Sequence, residues 1–457
     1  MRGLVVLAIL FALWSGCLGP SGDSSRGGGL DPLGGGIAFR SSVLDPTRGV
    51  YEPALAVAPD GSIFVCGPGH VGFGTDVWVS TDGGASFHYS GNQVKTGVPV
   101  LPHDPVVRSG SGDVGGGDCD VGADAGGRVY LADLWLGSVS VSSTTDKGAS
   151  WRGVPVSIVG APLDRPWVLG GDKDEVFLTA AQLQGFGYEE RGLNTPPVGG
   201  IWVARSTDGG MTFPQRVLAV GNQDRIGLNS NLARDGDFLY VMYTKKVAEG
   251  RIAVTVAVSK DRGVTWEQHV AAEQDFYPGQ CEPLNLFPSV AADGAGGVYL
   301  AWAMENPKTQ RIDLFLASSR DHGVTWNAPV SVADRPGTRA FPWVAAQAPG
   351  RVGLVWYESN DTLLTHVENV QCLDNATSDT AWRIHYASSQ DALDAAPRFS
   401  ETLVQAAPIH QGVLDRPYAE VLQVRFTPDG RAVTAYVADV AEGTARPMFA
   451  VQAAGSD

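Results

Sequence analysis

What this chain lacks narrows its class first. It has no basic stripe: 33 Lys and Arg stand against 49 Asp and Glu, a formal charge of −16. A phosphate backbone or an anionic lipid surface would repel it, which excludes nucleic-acid binding. No segment shows sustained helical periodicity. Past the N-terminus no apolar run is long enough to span a bilayer. Cysteine is scarce, 5 in 457 residues, and the spacings match no zinc-site pattern. No metal or other cofactor is expected.

The N-terminus carries a short positive region at Arg2, then the apolar run LVVLAILFALW from Leu4 to Trp14, ending at Ser15-Gly16-Cys17. This resembles a lipoprotein signal, which implies cleavage within residues 1–17, lipidation of Cys17 and tethering at the cell surface. The alternative is an ordinary secretion signal and a secreted protein. Residues 18–35, rich in Gly and Ser, read as a flexible tether, and the membrane is reached only through this anchor. Four further cysteines (Cys66, Cys119, Cys281 and Cys372) form an even set, as two disulfides in an exported chain require.

What is present is repetition. The octet SRDHGVTW (Ser319 to Trp326) has relatives in STDGGASF (from Ser80), TTDKGASW (from Thr144), STDGGMTF (from Ser206) and SKDRGVTW (from Ser259). A sixth, SSQDALDAAPRFS from Ser388, is degenerate, with Ala392 and Leu393 in place of the glycine. Alternating with the octets are seven apolar hairpins such as YEPALAVAPDGSIFVCG (from Tyr51) and DRPWVLGGDKDEVFLTA (from Asp164). Period-2 patterning around D-G or G-G turns marks each as antiparallel β. One hairpin plus one octet-linked strand pair makes a four-stranded unit. Such units repeated around a ring describe a β-propeller. The seventh unit lacks a last strand, whereas GGIAFRSSV (from Gly35) is a strand without a partner. The expected fold over residues 36–457 is therefore all-β: a seven-bladed propeller closed by its N-terminal strand, with six blades as the alternative.

The octet resembles the Asp-box (BNR repeat) of the sialidase superfamily. Its Asp residues (Asp82, Asp146, Asp208, Asp261, Asp321) are expected to accept turn amides, the following Gly to take positive φ, and the closing Trp or Phe to plug the blade. The octets would then be architecture, lying on turns between the third and fourth strands. Function is expected on the opposite face, where loops before the first strand and after the second converge on the axis. All four cysteines fall on that face, in neighbouring blades, which suggests Cys66–Cys119 and Cys281–Cys372. Asp118, Asp164, Arg165, Arg225, Arg339, Asp415 and Arg416 precede first strands there; Trp135, Trp302, Trp356, Tyr357 and Glu358 follow second strands.

Sialidases carry an Arg at the start of the first blade for a triad that grips the substrate carboxylate. In this chain Glu52 stands there, reversing the charge, so that triad is not intact. A substitute clamp could use Arg165 and Arg416, both in the phrase DRP, with Arg225 or Arg339. Two functions follow. The first is a monomeric, tethered propeller recognising a glycan or protein ligand through Arg165, Arg416, Arg225, Asp164, Asp415, Trp135, Trp302 and Trp356. The alternative is an exo-acting, sialidase-like glycoside hydrolase, with Glu52, Tyr357, Glu358 and Glu282 as catalytic candidates. Carboxylates held out of water with shifted pKa values would favour the enzyme.

Overall fold

The computed structural model describes residues 36–69, 74–93, 118–135, 138–156, 163–183, 198–221, 226–276, 287–306, 308, 311–361, 377–414, 418, 420–441 and 444–455. These form seven antiparallel sheets arranged as the blades of a β-propeller. The innermost strands, taken as blades one to seven, are Ala54–Val57, Cys119–Ala123, Leu163–Gly170, Leu232–Asp235, Ser289–Ala292, Thr338–Ala348 and Gln423–Phe426. The sixth blade carries one strand more than the repeat predicts, since His410–Gln411 pairs with Ala381–Ser389 beyond Ser400–Leu403. The ring closes as the strand count requires. Phe39–Val43 pairs with Thr444–Gln452 and becomes the outermost strand of blade seven.

Strands buried on both faces explain why the hairpins read as nearly continuous apolar runs: each face lies under a neighbouring blade. The hydrophobic clusters accordingly bridge blades, as where Val256 and Val258 of blade four join Val298 and Leu300 of blade five. A polar ring stitches the inner strands as well. Side-chain oxygens of Gln423, Asp120, Asn231 and Ser289 accept the backbone N–H of Leu55, Val168, Val290 and Val344, each in the next blade, at 2.8–3.1 Å. The axis is filled rather than open. Trp167 of blade three and Trp343 of blade six approach to 5.4 Å between ring centroids, and Arg425 of blade seven lies 4.9 Å over the Trp343 ring.

The octets sit on the turns between third and fourth strands. Asp82 accepts the hydroxyl of Ser80 at 2.7 Å, the N–H of Ser86 at 3.0 Å and its hydroxyl at 2.6 Å. Asp321 repeats this with Ser319 and Thr325. The glycine two residues on has positive φ in all five octets, from Gly84 at 84° to Gly323 at 82°. The closing aromatic packs against the preceding blade: Phe87 meets Phe449 at 4.9 Å and Trp151 meets Phe64 at 6.4 Å. In the degenerate sixth copy, Asp391 still accepts Ser389, but its second partner is the N–H of Arg398, seven residues on. Leu393, at the glycine's position, and the closing aromatic Phe399 both enter the apolar layer shared with Leu314 and Leu316 of blade five.

Candidate functional site

The loop-rich face holds an acid cluster over the axis. At its centre is Arg165, at the start of blade three and only 6% exposed. Its Nη1 faces Glu52 at 3.6 Å, its Nε faces Asp118 at 3.4 Å, and its Nη2 pairs with Glu420. The first two distances are those of ion pairs rather than hydrogen bonds, so the guanidinium is surrounded more than it is bonded. The flat face of Arg165 lies 4.0 Å over the Phe287 ring. Asp164, half-buried, accepts the N–H of Arg165 at 2.9 Å. Four carboxylates thus gather about one cation.

That imbalance has an electrostatic consequence. Burial first, and then the negative charge of Asp118, raise the Asp164 carboxyl to about 7, Arg165 offsetting only part of the rise. The guanidinium is held charged, its pKa raised well above normal, because its carboxylate neighbours outweigh its desolvation. Tyr357 belongs to the same neighbourhood. Its phenol is fully buried, its pKa raised first by burial and then by Glu52, and it donates to the carbonyl of Val421 at 3.4 Å.

Backbone geometry sets these groups apart. Glu52, Arg165, Phe287 and Phe341 have φ between 27° and 51°, and Glu420 has φ 79°. Such angles in non-glycine residues cost roughly 1–3 kcal/mol each and collect at functional sites. The first four each precede a proline (Pro53, Pro166, Pro288, Pro342) at the start of an inner strand. The repeat thus uses one strained X-Pro step on four blades to turn a side chain toward the axis.

Several sequence-based expectations are corrected. Of the catalytic candidates, Tyr357 and Glu358 lie apart, because alternation along the strand sends Glu358 to a separate cluster. There Arg335 grips Glu358 at 2.7 Å through both Nε and Nη2, and Glu401 through Nη1 at 2.7 Å and Nη2 at 2.5 Å. Glu358, His385 and Glu401 have the donor set of a metal site. The Arg335 guanidinium stands among them, its Nη2 also 3.1 Å from His385 Nδ1, and supplies the positive charge itself. Arg339, expected as part of an anion clamp, is buried against Glu358 and Asp313, each at 3.3 Å. Trp302 and Trp356 offer no ring to a ligand. Trp302 is 2% exposed, stacks on Phe315 and donates to Gln274; Trp356 is fully buried, stacks on His385 and donates to Glu358. The candidate Glu52 is 1% exposed.

Cys66 and Cys119 are joined, tying the second strand of blade one to the first strand of blade two. Glu282, Arg225, Asp415, Arg416, Cys17, Cys281 and Cys372 lie outside the described residues, as does the Trp135 side chain. Sequence reasoning missed Glu420; the available signal was a carboxylate three residues before the seventh inner strand. It also missed a smaller group nearby. His410 Nδ1 and the Tyr418 hydroxyl share the two oxygens of Asp439, at 2.9 and 2.6 Å.

No family model matches the chain, and no curated protein is similar to it. Solved structures are similar in fold. An ulvan lyase of a polysaccharide lyase family aligns with TM-score 0.51 and 12% identity, over 89% of this chain and 95% of its own. An α-L-arabinofuranosidase from Fusarium graminearum aligns with TM-score 0.44 and 11% identity, over 91% of this chain and 96% of its own. The intramolecular trans-sialidase from Ruminococcus gnavus aligns with TM-score 0.44 and 12% identity, over 89% and 95%.

Proposed function

We propose that this chain is an exported, glycan-active propeller that takes the end of a neutral glycan over the axis of its loop-rich face. The observation that carries the reading is Asp164, a half-buried carboxyl raised to about 7 beside carboxylates gathered on Arg165. A carboxylic acid that keeps its proton near neutrality can donate it to a glycosidic oxygen. An ionised neighbour, Glu52 or Glu420, supplies the negative charge that stabilises an oxocarbenium-like transition state. The substrate class follows from charge. Arg165 is already claimed by acids, so it does not grip a substrate carboxylate, and the surplus of acid disfavours anionic sugars. An ulvan lyase of similar fold acts on a glycan, which fits this reading at the level of the fold. The joined Cys66 and Cys119 fit an oxidising compartment, reached by secretion or by an anchor at Cys17.

The test is turnover by the full chain of neutral aryl glycosides and oligosaccharides, compared with uronate and sialate analogues. Hydrolysis confined to neutral substrates and lost in Asp164→Asn supports the proposal. A second reading, a recognition module, rests on the burial of Glu52, Asp118 and Arg165, which suits an internal brace. It predicts glycan binding without turnover, unchanged in Asp164→Asn.

A further inference from the structure

The opposite face carries a cleft whose origin lies in the topology. In blades one to five the closing aromatic of each octet fills the space against the preceding blade. Blade seven has no such turn. Where its octet would stand, two separate strand ends meet instead, Ile37 leading into the outermost strand and Gln452 ending the third, tied by the Ala453 N–H to the Ala38 carbonyl at 2.7 Å. Blades six and seven therefore meet without an octet plug, and Phe39 of the outermost strand packs edge-on against Tyr386 at 5.1 Å between ring centroids. The cleft between them measures about 650 Å³ and is lined by Ile37, Gln452, Tyr386, Arg351 and Arg398 among others. That volume suits a small saccharide.

The polar groups in it narrow the ligand. Tyr386 is 2% exposed, and among the described residues its hydroxyl has no hydrogen-bond partner. The hydroxyl reaches the surface of the cleft, where it can donate to an acceptor. Burial raises its pKa, so it remains a donor. Arg398 is paired with Asp391, whereas Arg351, whose charge acts on Tyr386, has no ion-pair partner among the described residues. One unclaimed guanidinium and one unclaimed hydroxyl thus face a polar cleft, in a chain whose net charge is −16.

We propose that this ring-closure cleft is a binding site for a carboxylate-bearing sugar, its carboxylate received by Arg351 and the Tyr386 hydroxyl. It is separate from the axial cluster, and its ligand class is the one that cluster disfavours. The test is calorimetric titration of the full chain with digalacturonic acid and with its dimethyl ester. The acid is expected to bind one site, with the ester about tenfold weaker or more. Tyr386→Phe, which removes only an unbonded hydroxyl and should leave the melting temperature unchanged, weakens the acid by about fivefold and Arg351→Gln by about tenfold. Equal binding of acid and ester, wild-type affinity in both variants, or no saturable binding would each overturn the assignment. Turnover of neutral glycans at the axis should be untouched by either variant, so failure here and failure of the axial reading are distinguishable.

Discussion

Asp82 and Asp164 are the same residue type treated in opposite ways. In the octet, Asp82 accepts the Ser86 hydroxyl, the Ser86 N–H and the Ser80 hydroxyl, and its pKa falls to about 2. Over the axis, Asp164 is half-buried beside Asp118 and rises to about 7. The octet gives a carboxylate as many donors as it can use and repeats the arrangement five times; the axis crowds four carboxylates around one cation and does so once. Satisfied charge is framework. Unsatisfied charge is where chemistry becomes available, and the two faces of one propeller divide along that line.

The largest effect should come from removing the axial cation. Arg165→Met leaves Glu52, Asp118, Asp164 and Glu420 facing one another, and about 3–5 kcal/mol of stability should be lost at pH 8. At pH 5, where the raised Asp164 carboxyl holds its proton, the loss should shrink, which denaturant titration at both pH values will show. An equal loss at both would mean that the arginine matters for packing alone.

On the octet face, Gly84 and Gly127 both have φ near 84°. A methyl at Gly84 would lie 2.1 Å from Phe449 Cε1, while at Gly127 it meets nothing within 4 Å. Gly84→Ala should therefore cost roughly 2–4 kcal/mol and Gly127→Ala about 1 kcal/mol. The difference in their unfolding midpoints isolates the contact between first and last blades.

Asp164→Asn tests the comparison through pH. Because the folded carboxyl binds its proton more tightly than the unfolded one, it supports stability below about pH 4 and withdraws that support as pH rises toward 7. The variant should flatten the fall in melting temperature across that window. A wild-type slope in the variant would remove Asp164 from the cluster's electrostatics. Smallest is Asp321→Ala, about 1–2 kcal/mol at neutral pH through the lost bonds to Ser319 and Thr325. Its carboxyl, lowered to about 2 by those bonds against the opposing effect of burial, contributes above pH 4 and loses that contribution as pH falls through 2. The two aspartates should thus show opposite pH slopes.

Much of the fold was legible because repetition makes it so. Seven hairpins counted the blades, and the unpartnered strand at Phe39–Val43 matched the gap left in blade seven. The site was legible only as a list of polar residues near first strands. Sequence could place Glu52, Asp118 and Arg165 on one face but could not bring them to a common centre, since that depends on how seven strands converge. Trp302 and Trp356 misled for a related reason. In an open sheet a tryptophan at the end of a second strand would stand at the rim, whereas in a propeller both faces of the strand are covered. Glu358 was drawn away by Arg335, which lies in a connecting loop that no periodic pattern marks.

The most direct test is an infrared difference titration of the carboxyl groups, wild type against Asp164→Asn. The account predicts a protonated-carboxyl signal that persists to about pH 7 and is absent from the variant. If the two proteins titrate alike, with no proton held to about pH 7 that Asp164→Asn removes, the axis is a brace and not an acid.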